Sequence, residues 1–290
     1  MISLLMPTRG RPALVRRFLD SVAIHTNRLD DVELVMYVDE DDVESHGLEH
    51  DSVVTKRIVG PIATMGEYNT SCLRQATGSI IVLVNDDVVI RTPHWDERIR
   101  AVDRDYPDGV YLAYPNDLFK RQRAAVFPVL SRRTCATLVD PYPREYRGAL
   151  IDYHLLDIFK RLQKRGSDRI RYMNDVVFEH MHYRTGKAPS DDTYRLRRRW
   201  DDDRMFLALR DVRQQAAERL AAAIERRNPQ PYQTARIAVA EPATLPAAVG
   251  SFARGFLADR ALPLQWRLFL FTWYCGRYIA AHRNRRSASL

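Results

Sequence analysis

The sequence predicts an α/β fold: a mostly parallel, Rossmann-like sheet flanked by helices, followed by a helical C-terminal extension. Three observations carry this. Short apolar runs bounded by turn residues alternate with amphipathic stretches through the N-terminal half. The run Ile80–Val84 passes directly into Asn85-Asp86-Asp87 and resumes as Val88-Val89-Ile90, which fits a strand buried on both faces. From Asp191 onward the chain becomes Ala-rich, charged and helical in spacing, which divides it into a domain at 1–190 and an extension at 191–290.

The elements follow in order. Ile2–Met6 reads as a first strand, broken by Pro7-Thr8-Arg9-Gly10-Arg11-Pro12. A helix over 13–26 carries Leu14, Phe18, Leu19, Val22 and Ala23 at helical spacing. Val32–Val38 is a second strand, running into Asp39-Glu40-Asp41-Asp42, and Val53–Val59 is a third. A short helix over 66–76 leads to the fourth strand, 79–84. Trp95–Tyr106 reads as a helix, 110–113 and 124–130 as strands, and Ser131 as the cap of a helix over 132–138.

The stretch 141–148 is a Pro-, Tyr- and Arg-rich loop. Asp152 then opens an amphipathic helix to about Arg165, which Gly166 stops. Two short strands, 169–172 and 176–178, precede His180 and His182, which share a face because strand side chains alternate. The extension reads as a helix over 194–227, a break at 228–232, an irregular linker over 238–248 and an aromatic-rich helix over 264–282. Asp201-Asp202-Asp203 reads as a solvated helix face.

The bulk numbers narrow the partners. The chain has 290 residues and a formal net charge of +8, carried mainly by Arg, with Lys only at 56, 120, 160, 164 and 187. Arg suits phosphate and carboxylate recognition. Nucleotides, nucleic acids, anionic lipids and acidic glycans are all compatible with that balance. Cys72, Cys135 and Cys275 show neither metal-ligand spacing nor an even-numbered disulfide framework. Neither a signal peptide nor a transmembrane run is legible, so a cytoplasmic protein is expected. The 264–282 helix, with Arg267, Arg277 and Arg283 among its aromatics, packs on the domain, pairs with a second copy or lies in a membrane surface.

Adjacent carboxylates among β-branched residues are costly to bury unless something compensates their charge. Open parallel sheets bind ligands at the carboxyl ends of their strands. Asp86 and Asp87 at such an end would hold a divalent cation carrying a nucleotide phosphate.

The order of motifs adds a resemblance. PTRGRP follows the first strand and acidic residues follow the second. Asn69 precedes a Gly-Ser-apolar strand that ends in NDD. Asp152 starts a helix and a His comes late. Over roughly residues 1–185 this series resembles a GT-A glycosyltransferase, nearest to family 2. The resemblance implies transfer of a sugar from a nucleotide-diphosphate sugar, UDP-sugar favoured, with Mn²⁺ or Mg²⁺ as cofactor. It implies that Asp87, matching the last position of a D-x-D motif, contacts the metal. Asn85 stands at the first position and Asp86 at the middle one, toward the ribose or sugar. Asp39 is implied to pair with the base, commonly the uracil N3–H. Pro7, Thr8 and Arg9 would lie by the base and diphosphate, and Asn69 either binds beside the nucleotide or is structural. His180 or His182 would supply a further metal or phosphate ligand, His180 matching better.

Asp152 matches the second residue of the family's E-D-x-D-L pattern, the base that deprotonates an acceptor hydroxyl in an inverting transfer. Here Ile151 replaces the Glu and His154 the second Asp. An ordinary helix N-cap is the other explanation for Asp152. The acceptor is a glycan, lipid, protein or modified nucleic acid, with loops such as 117–123 and 141–147 setting its specificity. Two other functions fit an α/β sheet with carboxylates: a nucleotidyltransferase acting on sugar phosphates, and a non-catalytic nucleotide-sugar or nucleic-acid binding module. No P-loop and no G-x-G-x-x-G occurs, which argues against ATPase and dinucleotide chemistry.

Overall fold

The computed structural model describes residues 1–187, 201–232 and 242–287. Within it, one eight-stranded sheet has the order β3-β2-β1-β4-β7-β6-β8-β5. The strands are β1 (Ile2–Thr8), β2 (Val32–Asp39), β3 (Val54–Gly60), β4 (Ile80–Leu83), β5 (Val88–Ile90), β6 (Leu112–Asn116), β7 (Val129–Ser131) and β8 (Ile170–His180). The half built from β3, β2, β1 and β4 is all parallel. The other half is mixed: β7 runs antiparallel to β4 and β6, β6 pairs parallel with β8, and β5 closes the edge antiparallel to β8.

Helices cover both faces, which is why the strand sequences are continuous apolar runs. Leu4, Met6, Leu34, Met36 and Val82 point to one side. There they meet Phe18 and Val22 of α1 (Pro12–His25) and Trp95 and Ile99 of α3 (Trp95–Asp105). Leu5, Val35, Ile81 and Leu83 point to the other. That side is covered by α2 (Met65–Gln75), α4 (Arg132–Leu138) and α5 (Ile151–Lys164), and its core continues into the C-terminal helices. Two local signals hold as expected. Ser131 caps α4, accepting a hydrogen bond from the Thr134 N–H at 2.8 Å, and Gly166 ends α5 with φ +95°.

Several elements differ from the sequence expectation. The strand expected over 124–130 is reduced to Val129–Ser131, because Pro128 has no N–H to give a ladder. The two strands expected over 169–178 are one long strand with an irregularity where β6 pairs with it, between Pro115 and Asn116. The 141–148 loop is anchored by Tyr142 and Tyr146, which are fully buried, while Arg144 and Arg147 are exposed. In the extension, the helix expected over 194–227 is two helices, α6 (Asp201–Ala208) and α7 (Arg210–Ile224). The irregular linker expected over 238–248 instead contains the start of α8 (Leu245–Phe252), capped by Thr244 with Pro246 in its first turn. Residues 194–200 and 238–241, and the 190/191 boundary, lie outside the described residues.

The last helix, α9 (Leu264–Ser287), packs on the domain. Trp266, Leu270, Tyr274 and Tyr278, four residues apart, form its buried stripe. Three aromatics of α9, Trp266, Phe269 and Trp273, stack with Tyr153 of α5 at centroid distances of 6.2, 6.2 and 4.3 Å. Beneath them the buried Asp157 takes Arg161 at 2.9 Å, Arg213 at 2.7 Å and the Trp266 indole N–H at 2.9 Å. Two guanidiniums outweigh the desolvation of that carboxyl and hold its pKa below the usual range. Among the described residues, no helix is long and apolar enough to cross a membrane.

Candidate active site

The site lies where three adjacent parallel strands, β2, β1 and β4, end. β1 delivers the Thr8-Arg9-Gly10-Arg11 turn, β2 delivers Asp39, and β4 runs into Asn85-Asp86-Asp87. The positive φ of Gly10, +62°, lets the first of these turn back across the strand ends.

Asp86 is buried, and its carboxylate is held from both sides by the β1 turn. The Thr8 hydroxyl donates to Oδ2 at 3.0 Å, and Arg11 Nη1 donates to Oδ1 at 2.9 Å. Burial drives the Asp86 pKa up to about 6, and the Arg11 charge offsets only part of that. Arg11 is the compensating cation that the sequence pattern required but did not single out. Asn85, one residue earlier, is exposed.

Asp39 is only 2% exposed and both of its oxygens are engaged. Tyr68 of α2 donates its hydroxyl to Oδ1 at 2.7 Å, and Arg9 Nη1 donates to Oδ2 at 2.6 Å. Tyr68 also packs on Tyr37 with ring centroids 4.7 Å apart. Arg9 reaches on to Asp41, whose two oxygens it takes at 2.7 Å each. Asp42 accepts from the Gly10 N–H at 2.7 Å. The acidic run therefore clamps the β1 turn instead of simply facing solvent. Asn69, on the same helix as Tyr68, is buried, and Pro7 is half-buried beside Thr8.

Asp87 points across to β8. Its Oδ2 lies 3.1 Å from His180 Nε2, and its carbonyl accepts from the Met181 N–H at 2.8 Å. The β5–β8 ladder places Val88 opposite His180 and so fixes this approach. The other ring nitrogen of His180, Nδ1, is buried without a hydrogen-bond partner. His182 lies on the same side, with ring centroids 5.1 Å apart, but it stacks on Phe119 and Tyr183 and accepts the Arg184 N–H on Nδ1. The two histidines are thus brought together, with His180 turned to the carboxylate.

Asp152 lies in the first turn of α5, half-buried. The N-cap position belongs to Leu150, in the left-handed conformation with no side-chain cap, so Asp152 is an acidic residue of the first turn and not the N-cap itself. Its neighbour Tyr153 feels the charges of Asp152, Asp117, Arg123 and Arg277, and burial pushes that phenol above its usual range. Asp117 accepts the His180 N–H on its carbonyl at 3.1 Å, which ties the 117–121 turn to the β8 end of the site. His154 is fully buried, hydrogen-bonded through Nδ1 to the Tyr146 hydroxyl at 2.9 Å, and burial lowers its pKa well below normal, so it is neutral.

Residues that sequence reasoning passed over are Arg11 and Tyr68. Arg11 is visible in PTRGRP as a second Arg; nothing local marks Tyr68.

No family model matches the sequence, and neither does any curated protein. Solved structures do resemble its fold. One is the mannosyltransferase PcManGT from Pyrobaculum calidifontis in complex with GDP-Man and Mn²⁺, 14% identical, with a TM-score of 0.50 covering 99% of this chain and 79% of that one. Another is S. aureus TarS 1–349 in complex with UDP-GlcNAc, 12% identical, with a TM-score of 0.50 covering 98% of this chain and 91% of that one. The fold is GT-A. In this GT-A chain the Asp86–Asp87 turn, the β1 turn and Asp39 all lie at the carboxyl ends of the parallel strands, where ligands of open α/β sheets bind.

Proposed function

We propose that the chain is an inverting glycosyltransferase that moves a sugar from a nucleotide-diphosphate sugar, UDP-sugar favoured, to an acceptor hydroxyl. The observation that carries this reading is the Asp87–His180 pair. It sits beside the Arg11-compensated Asp86, at the carboxyl ends of strands whose fold is shared with proteins bound to GDP-Man and UDP-GlcNAc.

The residues present fit a divalent cation. Asp87 supplies carboxylate oxygen and His180 supplies an imidazole nitrogen already facing it. Among the described residues no group of three or more His, Cys, Asp or Glu gathers as a complete protein cage. Mg²⁺-type cations are commonly held by one or two side chains together with substrate phosphates. When bound there, such a cation would act as a Lewis acid on the departing diphosphate. Asp86, held by Thr8 and Arg11 of the β1 turn, would contact the ribose or sugar. Asp39, held by Tyr68, receives the base. Asp152 takes the proton from the acceptor hydroxyl as that oxygen attacks the anomeric carbon, and the bond to the diphosphate breaks.

Incubating the protein and Mn²⁺ with a panel of nucleotide sugars tests the reading. Release of UDP from a UDP-sugar is expected. Release of pyrophosphate from a nucleoside triphosphate and a sugar phosphate, with no turnover of any nucleotide sugar, overturns it in favour of nucleotidyl transfer.

A further inference from the structure

Asp202 does not sit on a solvated face. It is 2% exposed, in the first turn of α6. Its carboxylate accepts hydrogen bonds from three consecutive backbone N–H groups: Arg147 at 2.8 Å, Gly148 at 3.0 Å and Ala149 at 2.6 Å. Successive N–H groups converging on one anion form a nest whose shape depends on the anion being there. The next residue, Leu150, is left-handed at φ 72°, and α5 begins at Ile151 with Asp152 second.

The carbonyl side of the same segment faces the donor side of the site. The Tyr146 carbonyl accepts the Gly66 N–H at 3.1 Å, and the Arg147 carbonyl accepts the Met65 N–H at 3.3 Å. Gly66 is needed there, because a Cβ would run into the Pro143 carbonyl. Segment 146–149 is therefore a strap between the first turn of α2, which carries Tyr68, and the first turn of α5, which carries Asp152. Leu150 at the N-cap position offers no side-chain cap, and Asp202 holds the N–H edge of that strap. Asp203, the next residue, receives Arg277 of α9 at 2.9 Å on each oxygen, which anchors α6 to the last helix.

We infer that Asp202 is a positioning residue for Asp152, and that the C-terminal helices are a working part of the catalytic unit. A displaced strap moves the start of α5, and misplacing a proton acceptor by about 1 Å costs on the order of 100-fold in rate. The inference rests on the reading of Asp152 as base.

The test uses the full chain. Asp202→Asn keeps the size of the side chain and removes the charge. It is expected to lower kcat for sugar transfer roughly 10–100-fold, to leave UDP affinity within about twofold, and to speed amide exchange at 147–149. Asp202→Glu, which retains the charge but shifts the strap, is expected to lower kcat as well while keeping those amides protected. The double variant Asp152→Asn/Asp202→Asn is expected to be no slower than Asp152→Asn alone, because a residue that acts through another adds nothing once that other is gone. Full turnover in Asp202→Asn, additive losses in the double variant, or equal losses of kcat and UDP affinity overturn the inference. Unchanged turnover in Asp152→Asn alone is a different result: it removes the base assignment, while amide exchange still reads whether Asp202 holds the strap.

Discussion

His180 Nε2 and Asp87 Oδ2 face each other at 3.1 Å across 93 positions of sequence. The ladder that pairs Val88 with His180 produces this approach, so it is a property of the β5–β8 edge, not of either side chain alone. Two such donors favour a cation only in company with a diphosphate. Asp87→Ala and His180→Ala are each expected to weaken UDP binding in the presence of Mn²⁺ by about tenfold or more, a change of about 1.4 kcal/mol. Without the cation, UDP binding should change little. Titration calorimetry with and without Mn²⁺ checks this, and equal losses under both conditions would remove the two residues from the proposed cation site.

Asp152→Asn keeps the shape of the first turn of α5 and removes the proposed proton acceptor. General-base losses are typically 10²–10⁴-fold. The expected outcome is a kcat for transfer reduced by about that much, with UDP affinity unaltered. Steady-state kinetics alongside nucleotide binding separates the two quantities. Retention of wild-type turnover transfers the base role elsewhere.

The local parts of this site were legible and the long-range parts were not. The apolar run into Asn85-Asp86-Asp87 is contiguous, and burial on both faces follows from its composition, so β4 and its carboxylates stood out. The need for a compensating charge was also visible. That Arg11 supplies it could be known only once β1 and β4 were neighbours, since the bond spans 75 positions. Asp202 failed for the opposite reason. Three acids in a row within a helix expected over 194–227 read as a solvated face, and the N–H groups that make burial favourable come from a segment more than fifty positions away. Pro128 was a local signal passed over: it breaks the apolar run 124–130 and leaves only three residues for β7.

Glu33 gives a pH dependence with a definite sign. It is buried in β2. Desolvation alone would raise its pKa, but Lys56 at 2.7 Å, the Ser3 hydroxyl at 2.5 Å and the Thr77 N–H and hydroxyl together bring it down to about 2 from an ordinary 4.5. A carboxyl with a depressed folded pKa contributes stability above its unfolded value and loses it as pH falls through the folded one. The loss therefore falls between about pH 4.5 and pH 2. Lys56 is partly exposed, so solvent screening reduces the contribution to ~1–3 kcal/mol. Denaturant unfolding at pH 5 and pH 2.5 should show a steeper decline for the wild type than for Glu33→Gln. Parallel declines would mean that the Glu33 network does not titrate in this window.

The Arg11–Asp86 pair predicts the opposite slope. Burial holds the Asp86 pKa at about 6 even with Arg11 in place, against an ordinary 3.8. Between these values the folded state binds the proton more tightly than the unfolded state, so the contribution of this group to stability is full below about pH 4 and fades as pH rises through about 6. Replacing Arg11 by Met takes away the one charge that favours the ionised form. At low pH the carboxyl is protonated and needs no cation, so the variant should be close to wild type. At higher pH it must either ionise unpaired or hold its proton against solvent. The deficit then grows by up to ~1.4 kcal/mol per pH unit, toward the 3–5 kcal/mol or so typical of a broken buried pair. Unfolding free energies of wild type and Arg11→Met at pH 5 and pH 8 measure the difference. Adding Asp86→Asn should abolish its pH dependence, and a deficit that is the same at both pH values would show that Arg11 acts through packing instead of charge.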